Sequence, residues 1–176
     1  MSKDSEKPKI LIIGDGGVGK STYVRQINTG KFKSKYDTTI GLEPHPLTLL
    51  TSAGEKDIII LDTAGQEKFG NLRQEIYKDT QAAFIMFDLT SRITYVNVQK
   101  WHRDITDAMG EDFPIVIVGN KLDMERKVKS KLITFPKKKG IPYVEISVKD
   151  SKDLDKPFNY ILQKLYEDES IQCLCE

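Results

Sequence analysis

Five short runs of continuous apolar residues alternate with helical stretches along this chain, and this alternation restricts its fold more than any other feature. Strands buried on both faces of a sheet give such runs, whereas strands with one face in water alternate apolar and polar residues. The runs cover residues 10–13, 58–61, 82–87, 115–118 and, more weakly, 143–146. The helical candidates cover residues 20–28, 68–79, 92–109 and 153–166. The alternation predicts an α/β fold with a mostly parallel central sheet.

One connection along the chain is too short to contain a helix. Residues 45–50 have the pattern of a further strand, and residues 51–56 after them are typical of a turn. We therefore expect an antiparallel hairpin at the edge of the sheet. The preceding segment, residues 31–44, is rich in Lys, Thr, Gly and Pro and is predicted to be a mobile loop.

The length of 176 residues fits one domain, which we place at residues 9–168 between a flexible amino-terminal segment, 1–8, and a short tail, 169–176. The net charge of +1 gives no general reason to expect direct nucleic-acid binding. No stretch approaches the ~18 apolar residues needed to span a bilayer. The two cysteines, Cys173 and Cys175, are poorly placed to staple a core. We expect a soluble intracellular protein from a reducing compartment.

Residues 14–21 fit the phosphate-loop pattern, in which a glycine, four further residues and Gly-Lys-Ser connect a strand to a helix. Glycines let successive backbone amides turn toward phosphate oxygens, and the amino end of the helix adds partial positive charge. Lys20 supplies a full positive charge for the β and γ phosphates, and the Ser21 hydroxyl is able to ligate magnesium. The loop predicts a nucleotide phosphate site with Mg²⁺.

A second motif, residues 62–67, directly follows the strand at 58–61. A carboxylate at the carboxyl end of a buried strand beside a phosphate loop suits the magnesium shell, which makes Asp62 a candidate ligand. Gly65 allows a backbone amide to approach the γ phosphate. Gln66 has both a donor and an acceptor, so it is suited to orienting an attacking water.

A third motif, Asn-Lys-Leu-Asp at residues 120–123, follows the strand at 115–118. The Asp123 carboxylate is able to accept hydrogen bonds from N1–H and the 2-amino group of guanine, donors that adenine lacks, and such a mismatch gives ~10⁴-fold discrimination. The Lys121 stem is able to cover the base. Ser147-Val148-Lys149 follows the last strand, where a backbone amide is able to meet guanine O6. The motif favours guanine over adenine.

All these motifs follow the carboxyl ends of strands. A parallel sheet brings those ends to one rim, which is where open α/β sheets bind their ligands. In the loop at 31–44, Thr38 and Thr39 offer hydroxyls for magnesium and Phe32 is able to pack on the base edge, although each also fits an ordinary loop residue.

Together the motifs resemble those of the Ras superfamily of small GTPases over nearly the whole chain, and most closely those of its Ran branch. The residues that carry the Ran-like resemblance are 30–32, Tyr36, 39–41, 43–47, 62–70, 85–88, 90–95, 101–104 and 126–129. The resemblance implies a P-loop NTPase small G domain, with a six-stranded, mostly parallel sheet, one antiparallel edge strand and helices on both faces. It also implies a GTPase that is slow alone and stimulated by an activating protein.

The resemblance further assigns roles to residues. The magnesium ligands would be Ser21, Asp62 and Thr39. Of these, Thr39 would bind the ion only when the γ phosphate is present. Catalysis would use Gln66 to orient water, Tyr36 to steady Gln66, and Lys20. The implied contacts to GTP or GDP are Asp15, Gly16, Gly17, Val18, Gly19, Lys20, Ser21, Thr22, Phe32, Lys35, Tyr36, Thr39, Gly65, Asn120, Lys121, Asp123, Ser147, Val148 and Lys149.

The Ran-like resemblance also implies partners and a location. These are importin- and exportin-type transport receptors, an exchange factor, a GTPase-activating protein, and a GDP-form import carrier that grips Lys68 and Phe69, for a monomer shared between nucleus and cytoplasm. Residues 126–139 contain seven Lys or Arg and no acidic residue. By sequence alone this segment is either a solvated face or a patch for acidic partners, and the resemblance favours the patch.

Three features depart from the Ran pattern or leave alternatives open. The chain stops at Glu176 without a long acidic carboxyl-terminal arm, and Val148 replaces the usual alanine, for which we expect crowding rather than loss of binding. The ending from Cys173 resembles a prenylation box with an atypical final Glu. A Rab-like membrane-trafficking GTPase that uses its terminal cysteines is therefore the alternative, followed by a GTP-binding module with little turnover.

Overall fold

The computed structural model describes residues 7–30, 41–63 and 72–174. The described chain forms a six-stranded sheet in the order β2-β3-β1-β4-β5-β6, in which only the β2–β3 pair is antiparallel. The strands are β1 Lys9–Ile13, β2 Leu42–Thr51, β3 Gly54–Thr63, β4 Ala82–Asp88, β5 Ile115–Asn120 and β6 Tyr143–Glu145. The predicted mostly parallel sheet with one antiparallel edge hairpin is confirmed.

Helices lie between the strands and cover both faces of the sheet. They are α1 Lys20–Thr29, α2 Leu72–Lys78, α3 Arg92–Val96, α4 Val98–Met109, α5 Phe135–Lys139 and α6 Lys156–Leu165, with a 3₁₀ turn at Ser130–Leu132. Side chains alternate along β1, so Ile10 and Ile12 pack into one core while Leu11 and Ile13 pack into the other. Two buried faces explain why the central strands are continuous apolar runs.

Strand β2 corrects the expectation that the whole of residues 31–44 would be a mobile loop. Leu42, Glu43 and Pro44 already pair with β3 as part of β2, and residues 31–40 lie outside the described chain. Proline lacks a backbone N–H and cannot donate a hydrogen bond to a neighbouring strand. Pro44 and Pro46 are accommodated because β2 is an edge strand of the described sheet, with a neighbour on one side only.

The helices differ from the prediction in number and in some of their bounds, and α6 begins at Lys156 rather than at residue 153. The stretch predicted as one helix, residues 92–109, is divided at Asn97 into α3 and α4. Helix α5 lies in the basic segment and was not expected from the sequence; Pro136 stands in its first turn, and Gly140 ends it with a φ of 66°.

The residues after α6 pack onto the domain. The Ser52 amide donates to the Gln172 carbonyl at 2.9 Å, and the Leu174 amide donates to the Leu50 carbonyl at 2.8 Å, so the tail lies beside the end of β2. Ile171 and Cys173 are buried in the core on the α6 side of the sheet. The domain bounds at residues 9 and 168 stay a prediction, but the tail contributes to the same core. No helix among the described residues is long and apolar enough to cross a membrane.

Candidate functional site

The carboxyl ends of the parallel strands gather the predicted site residues at one rim of the sheet. Gly14 follows β1, Asp62 lies near the end of β3, Asn120 ends β5, and Ser147 follows β6. These positions come from four segments that are far apart in sequence. Their meeting follows from the parallel pairing of β3, β1, β4, β5 and β6.

The phosphate loop wraps the amino end of α1, and two of its glycines are required by close packing. A Cβ atom at Gly14 would overlap the Met86 carbonyl oxygen of β4, and a Cβ at Gly19 would overlap the Asn120 side-chain amide. Gly19 also has a φ of 103°, which side chains disfavour. Gly16 and Gly17 at the mouth of the loop are exposed, while Val18 is buried beneath it. The loop is therefore held in place by packing at Gly14 and Gly19, while Gly16 and Gly17 are exposed to solvent.

Lys20 lies inside this loop. Its Nζ donates to the backbone carbonyl oxygens of Gly14 and Asp15 at 2.9 Å each. Burial lowers the pKa of the Lys20 ammonium to about 8, against the opposing effect of the Asp62 and Asp15 carboxylates. A buried ammonium group held mainly by carbonyl oxygens is well suited to a polyanionic ligand, whose charge would favour the protonated form.

Ser21 and Asp62 form the part of the site that suits a divalent cation. The Ser21 hydroxyl donates a short hydrogen bond to Asp62 Oδ2, while Asp62 Oδ1 is buried without a hydrogen-bond partner among the described residues. Burial raises the pKa of the Asp62 carboxyl despite the Ser21 hydrogen bond and the Lys20 charge. A hydroxyl and an under-satisfied carboxylate are hard oxygen donors of the kind that Mg²⁺ prefers, so these residues fit that ion.

Two residues of β2 that were not assigned to the site from the sequence lie beside Asp62. Glu43 is the cross-strand partner of Asp62, and His45 Nε2 is 3.6 Å from Glu43 Oε2. One ligand atom from each of the three side chains lies within 4.8 Å of the others. Their proximity depends on the register of the hairpin, which residue spacing alone does not reveal.

The Asn-Lys-Leu-Asp segment is hydrogen-bonded to the phosphate loop and to the loop after β6. Asn120 Nδ2 donates to the Val18 carbonyl at 3.0 Å, and Asn120 Oδ1 accepts from the Val148 amide at 3.3 Å. Asp123 Oδ1 accepts from the Ser147 hydroxyl at 2.7 Å. The structure therefore brings together the phosphate loop, the Asn-Lys-Leu-Asp segment and the loop after β6, as predicted.

Lys121 is positioned by a residue that had been given no role. Its Nζ is 2.6 Å from Asp88 Oδ2 and donates to the Gly17 carbonyl at 3.0 Å. Asp88 is the last residue of β4. It could therefore have been predicted from the sequence, because ligands bind at the carboxyl ends of parallel strands. Lys121 has a φ of 69°, a backbone conformation that favours glycine, and the surrounding contacts hold it there.

The remaining predicted residues lie in different surroundings. Thr22 is half-buried in the first turn of α1, and Lys149 is exposed beside Val148. The Val148 side chain packs into the core, while its amide meets Asn120. The Asp15 side chain points to α4, where Asn97 and Trp101 bind it. Outside the described residues lie Phe32, Lys35, Tyr36, Thr38, Thr39, Gly65, Gln66, Lys68 and Phe69.

A sequence model of the Ras family matches residues 9–167, which is most of the chain and includes every motif at the rim. The chain belongs to the Ras family. It is therefore a small GTPase with a switch function. Ras-family GTPases bind GTP and GDP, typically with Mg²⁺, and generally interact with exchange factors and GTPase-activating proteins.

Proposed function

We propose that this Ras-family GTPase is a magnesium-dependent, GTP-hydrolysing switch with a Ran-type role in the nucleocytoplasmic transport of protein and RNA. The nucleotide part of the proposal is supported above all by one arrangement: Asn120 is hydrogen-bonded to both the phosphate loop and the loop after β6, so the segments predicted to contact the phosphates and the base are adjacent. Asp123 is the base-selecting residue, and its Ser147 hydrogen bond orients its carboxylate.

Hydrolysis requires water to attack the γ phosphorus while the bond to the β–γ bridging oxygen breaks, which gives GDP and phosphate. Lys20 neutralises charge on the phosphate oxygens as it develops. Ser21 and Asp62, with Thr39, would hold a magnesium ion, which would supply positive charge to neutralise the phosphate oxygens. Gln66 orients the water, and Tyr36 steadies Gln66. Loss of the γ phosphate releases Thr39, so the two nucleotide states present different surfaces to partners.

The transport role is supported by the basic segment, whose lysines the fold presents to solvent. Lys137 and Lys138 are exposed on α5, as are Lys129 and Lys131 before it. A cluster of exposed lysines on one short stretch suits an acidic protein surface. The trafficking alternative requires lipidation of the terminal cysteines, and Cys173 is buried against Thr51 and α6. Its thiol would have to leave the core before it could be modified.

A nucleotide-dependent capture experiment tests the proposal. The protein is immobilised after loading with GDP or with a non-hydrolysable GTP analogue and is exposed to purified importin-type receptors. We expect capture in the GTP-like state alone. Gln66→Leu should retain nucleotide binding, lose stimulated hydrolysis and capture receptors after loading with GTP itself. Capture of vesicle-tethering proteins from extract, with none of the receptors, would favour the trafficking role.

Charge-reversal variants separate the basic segment from overall charge. Lys137→Glu with Lys138→Glu should weaken capture, because two exposed positive charges on α5 become negative. Lys152→Glu with Lys164→Glu makes the same change in net charge at exposed positions elsewhere and should capture receptors normally. Equal weakening by both pairs would show that the basic segment is not the contact.

A further inference from the structure

The carboxylate of Asp15 is held by two donors outside the phosphate loop. Asn97 Nδ2 donates to Asp15 Oδ2 at 2.6 Å, and the indole Nε1 of Trp101 donates to Asp15 Oδ1 at 2.8 Å. Asn97 lies at the junction of α3 and α4, and Trp101 is one turn further along α4. Each carboxylate oxygen thus has its own donor from the same helical segment, whereas the phosphate loop itself provides neither.

The main chain of Asp15 is engaged at the same time by the buried lysine. Its carbonyl oxygen accepts from Lys20 Nζ at 2.9 Å. Residue 15 is therefore fastened by its side chain to α4 and by its backbone to the start of α1. Gly14, just before it, is packed against the Met86 carbonyl of β4. The first half of the phosphate loop is held against three separate elements, so its exposed glycines are left to face a ligand.

Electrostatics gives the side-chain anchors a second purpose. Asp15 places a negative charge in a loop that is proposed to bind a polyanion. Like charges repel strongly at short range where little bulk water screens them. Two N–H donors stabilise the carboxylate on the side of α4 and prevent it from rotating toward the phosphates. Trp101 is 3% exposed, so its N–H would lose a partner that water could not readily replace.

We propose that Asp15 is a positioning residue and that Asn97 and Trp101, through its carboxylate, set how long the phosphate loop retains nucleotide. This inference rests on the proposed binding of guanine nucleotide at the loop. It assigns α4 a part in nucleotide retention, although α4 supplies no side chain to the predicted nucleotide contacts. Trp101 is the only tryptophan in the sequence, so its emission reports on this contact.

The test measures dissociation of a fluorescent GDP analogue into excess unlabelled GDP at fixed Mg²⁺. The fluorophore is excited directly so that Trp101 does not contribute to the signal. Asp15→Ala, Asn97→Ala and Trp101→Phe should each release nucleotide faster, on the order of tenfold for loss of a hydrogen bond to a charged group. The double variant Asp15→Ala with Trp101→Phe should be no faster than the faster single variant, because both remove the same contact.

Ile105→Val is the matched control on the same helix. Ile105 is buried in the same core as Trp101, whereas the donors to Asp15 are Asn97 and Trp101, so this variant should lower the melting temperature without changing the dissociation rate. Asp15→Asn gives a second measurement that does not depend on a large change in packing: the Trp101 emission should shift when the carboxylate becomes an amide.

Three outcomes would overturn the inference while leaving the proposed function intact: unchanged dissociation in the three single variants, additive effects in the double variant, or equal acceleration by Ile105→Val. Failure of the unmodified protein to bind the GDP analogue would instead contradict nucleotide binding itself, and the inference with it.

Discussion

The side-chain amide of Asn120 donates to the backbone carbonyl oxygen of Val18 at 3.0 Å across 102 residues of sequence. The same side chain accepts from the Val148 amide, so one buried residue joins the phosphate loop to both base-side segments. The segments predicted to bind phosphate and guanine are consequently parts of one hydrogen-bonded network.

Asn120→Ala tests that network. The change leaves a buried carbonyl and a buried amide without their partner, and each such loss costs about 1–3 kcal/mol. We expect GDP affinity to fall roughly 100-fold, with a lower melting temperature, as measured by calorimetric titration and thermal unfolding. Asn28→Ala, at an exposed position of α1, should change neither property. Normal GDP affinity in Asn120→Ala would show that the bonded network does not support the site.

Asp123→Asn should relax the choice of base. An amide at this position is able to donate to the additional carbonyl of xanthine, while it loses one acceptor for the guanine N–H groups. We expect GDP to lose roughly 10³-fold or more in affinity and xanthosine diphosphate to gain, in keeping with the discrimination that buried hydrogen-bonding sites achieve. Competition between the two nucleotides measures the ratio directly. An unchanged preference for guanine would contradict the assignment of Asp123.

The lowered pKa of Lys20 predicts that the protein takes up a proton when nucleotide binds. Its pKa is lowered to about 8 in the nucleotide-free protein because the ammonium is buried. Bound phosphates favour the charged form and raise that pKa again. Above about pH 8, binding should therefore take up part of a proton, and affinity should fall as the pH rises.

Calorimetry of GDP binding in two buffers of different ionisation enthalpy measures this uptake. Lys20→Arg is the control, since arginine stays protonated and should take up none at this position. For the folding stability of the nucleotide-free protein, the pH dependence has the opposite sign. Because the pKa of Lys20 is lower in the folded than in the unfolded chain, the free energy of unfolding increases as the pH rises from about 8 toward 10.5. Buffer-independent binding enthalpies at pH 8–9 would contradict a depressed Lys20 pKa.

The tail predicts a difference between two apolar residues only three positions apart. Ile171 is 2% exposed and packs in the core, whereas Leu174 is 52% exposed. Ile171→Ala should lower the free energy of unfolding by about 2–4 kcal/mol, and Leu174→Ala should change it by less than about 0.5 kcal/mol. Denaturant unfolding distinguishes them. Equal stability in both variants would show that the tail does not contribute to the core.

The sequence by itself determined the order of the strands, the position of most helices, and which segments meet at the rim of the sheet. Continuous apolar runs predicted buried parallel strands, and Gly14, Asp62, Asn120 and Ser147 each lie within two residues of the end of one. These inferences succeed because periodicity and strand-end position are local properties of the chain. The short helix α5 escaped notice because its five residues are too few to show a helical period.

Only the tertiary structure decided which distant side chains support those residues. Asp15 and Trp101 are 86 positions apart, and no spacing rule joins a phosphate-loop carboxylate to an indole on α4. Glu43 meets Asp62 through the register of the β2–β3 hairpin. Ile171 joins the core because the tail bonds to the end of β2. Such contacts depend on how elements pack, and packing is a property of the whole chain rather than of any segment.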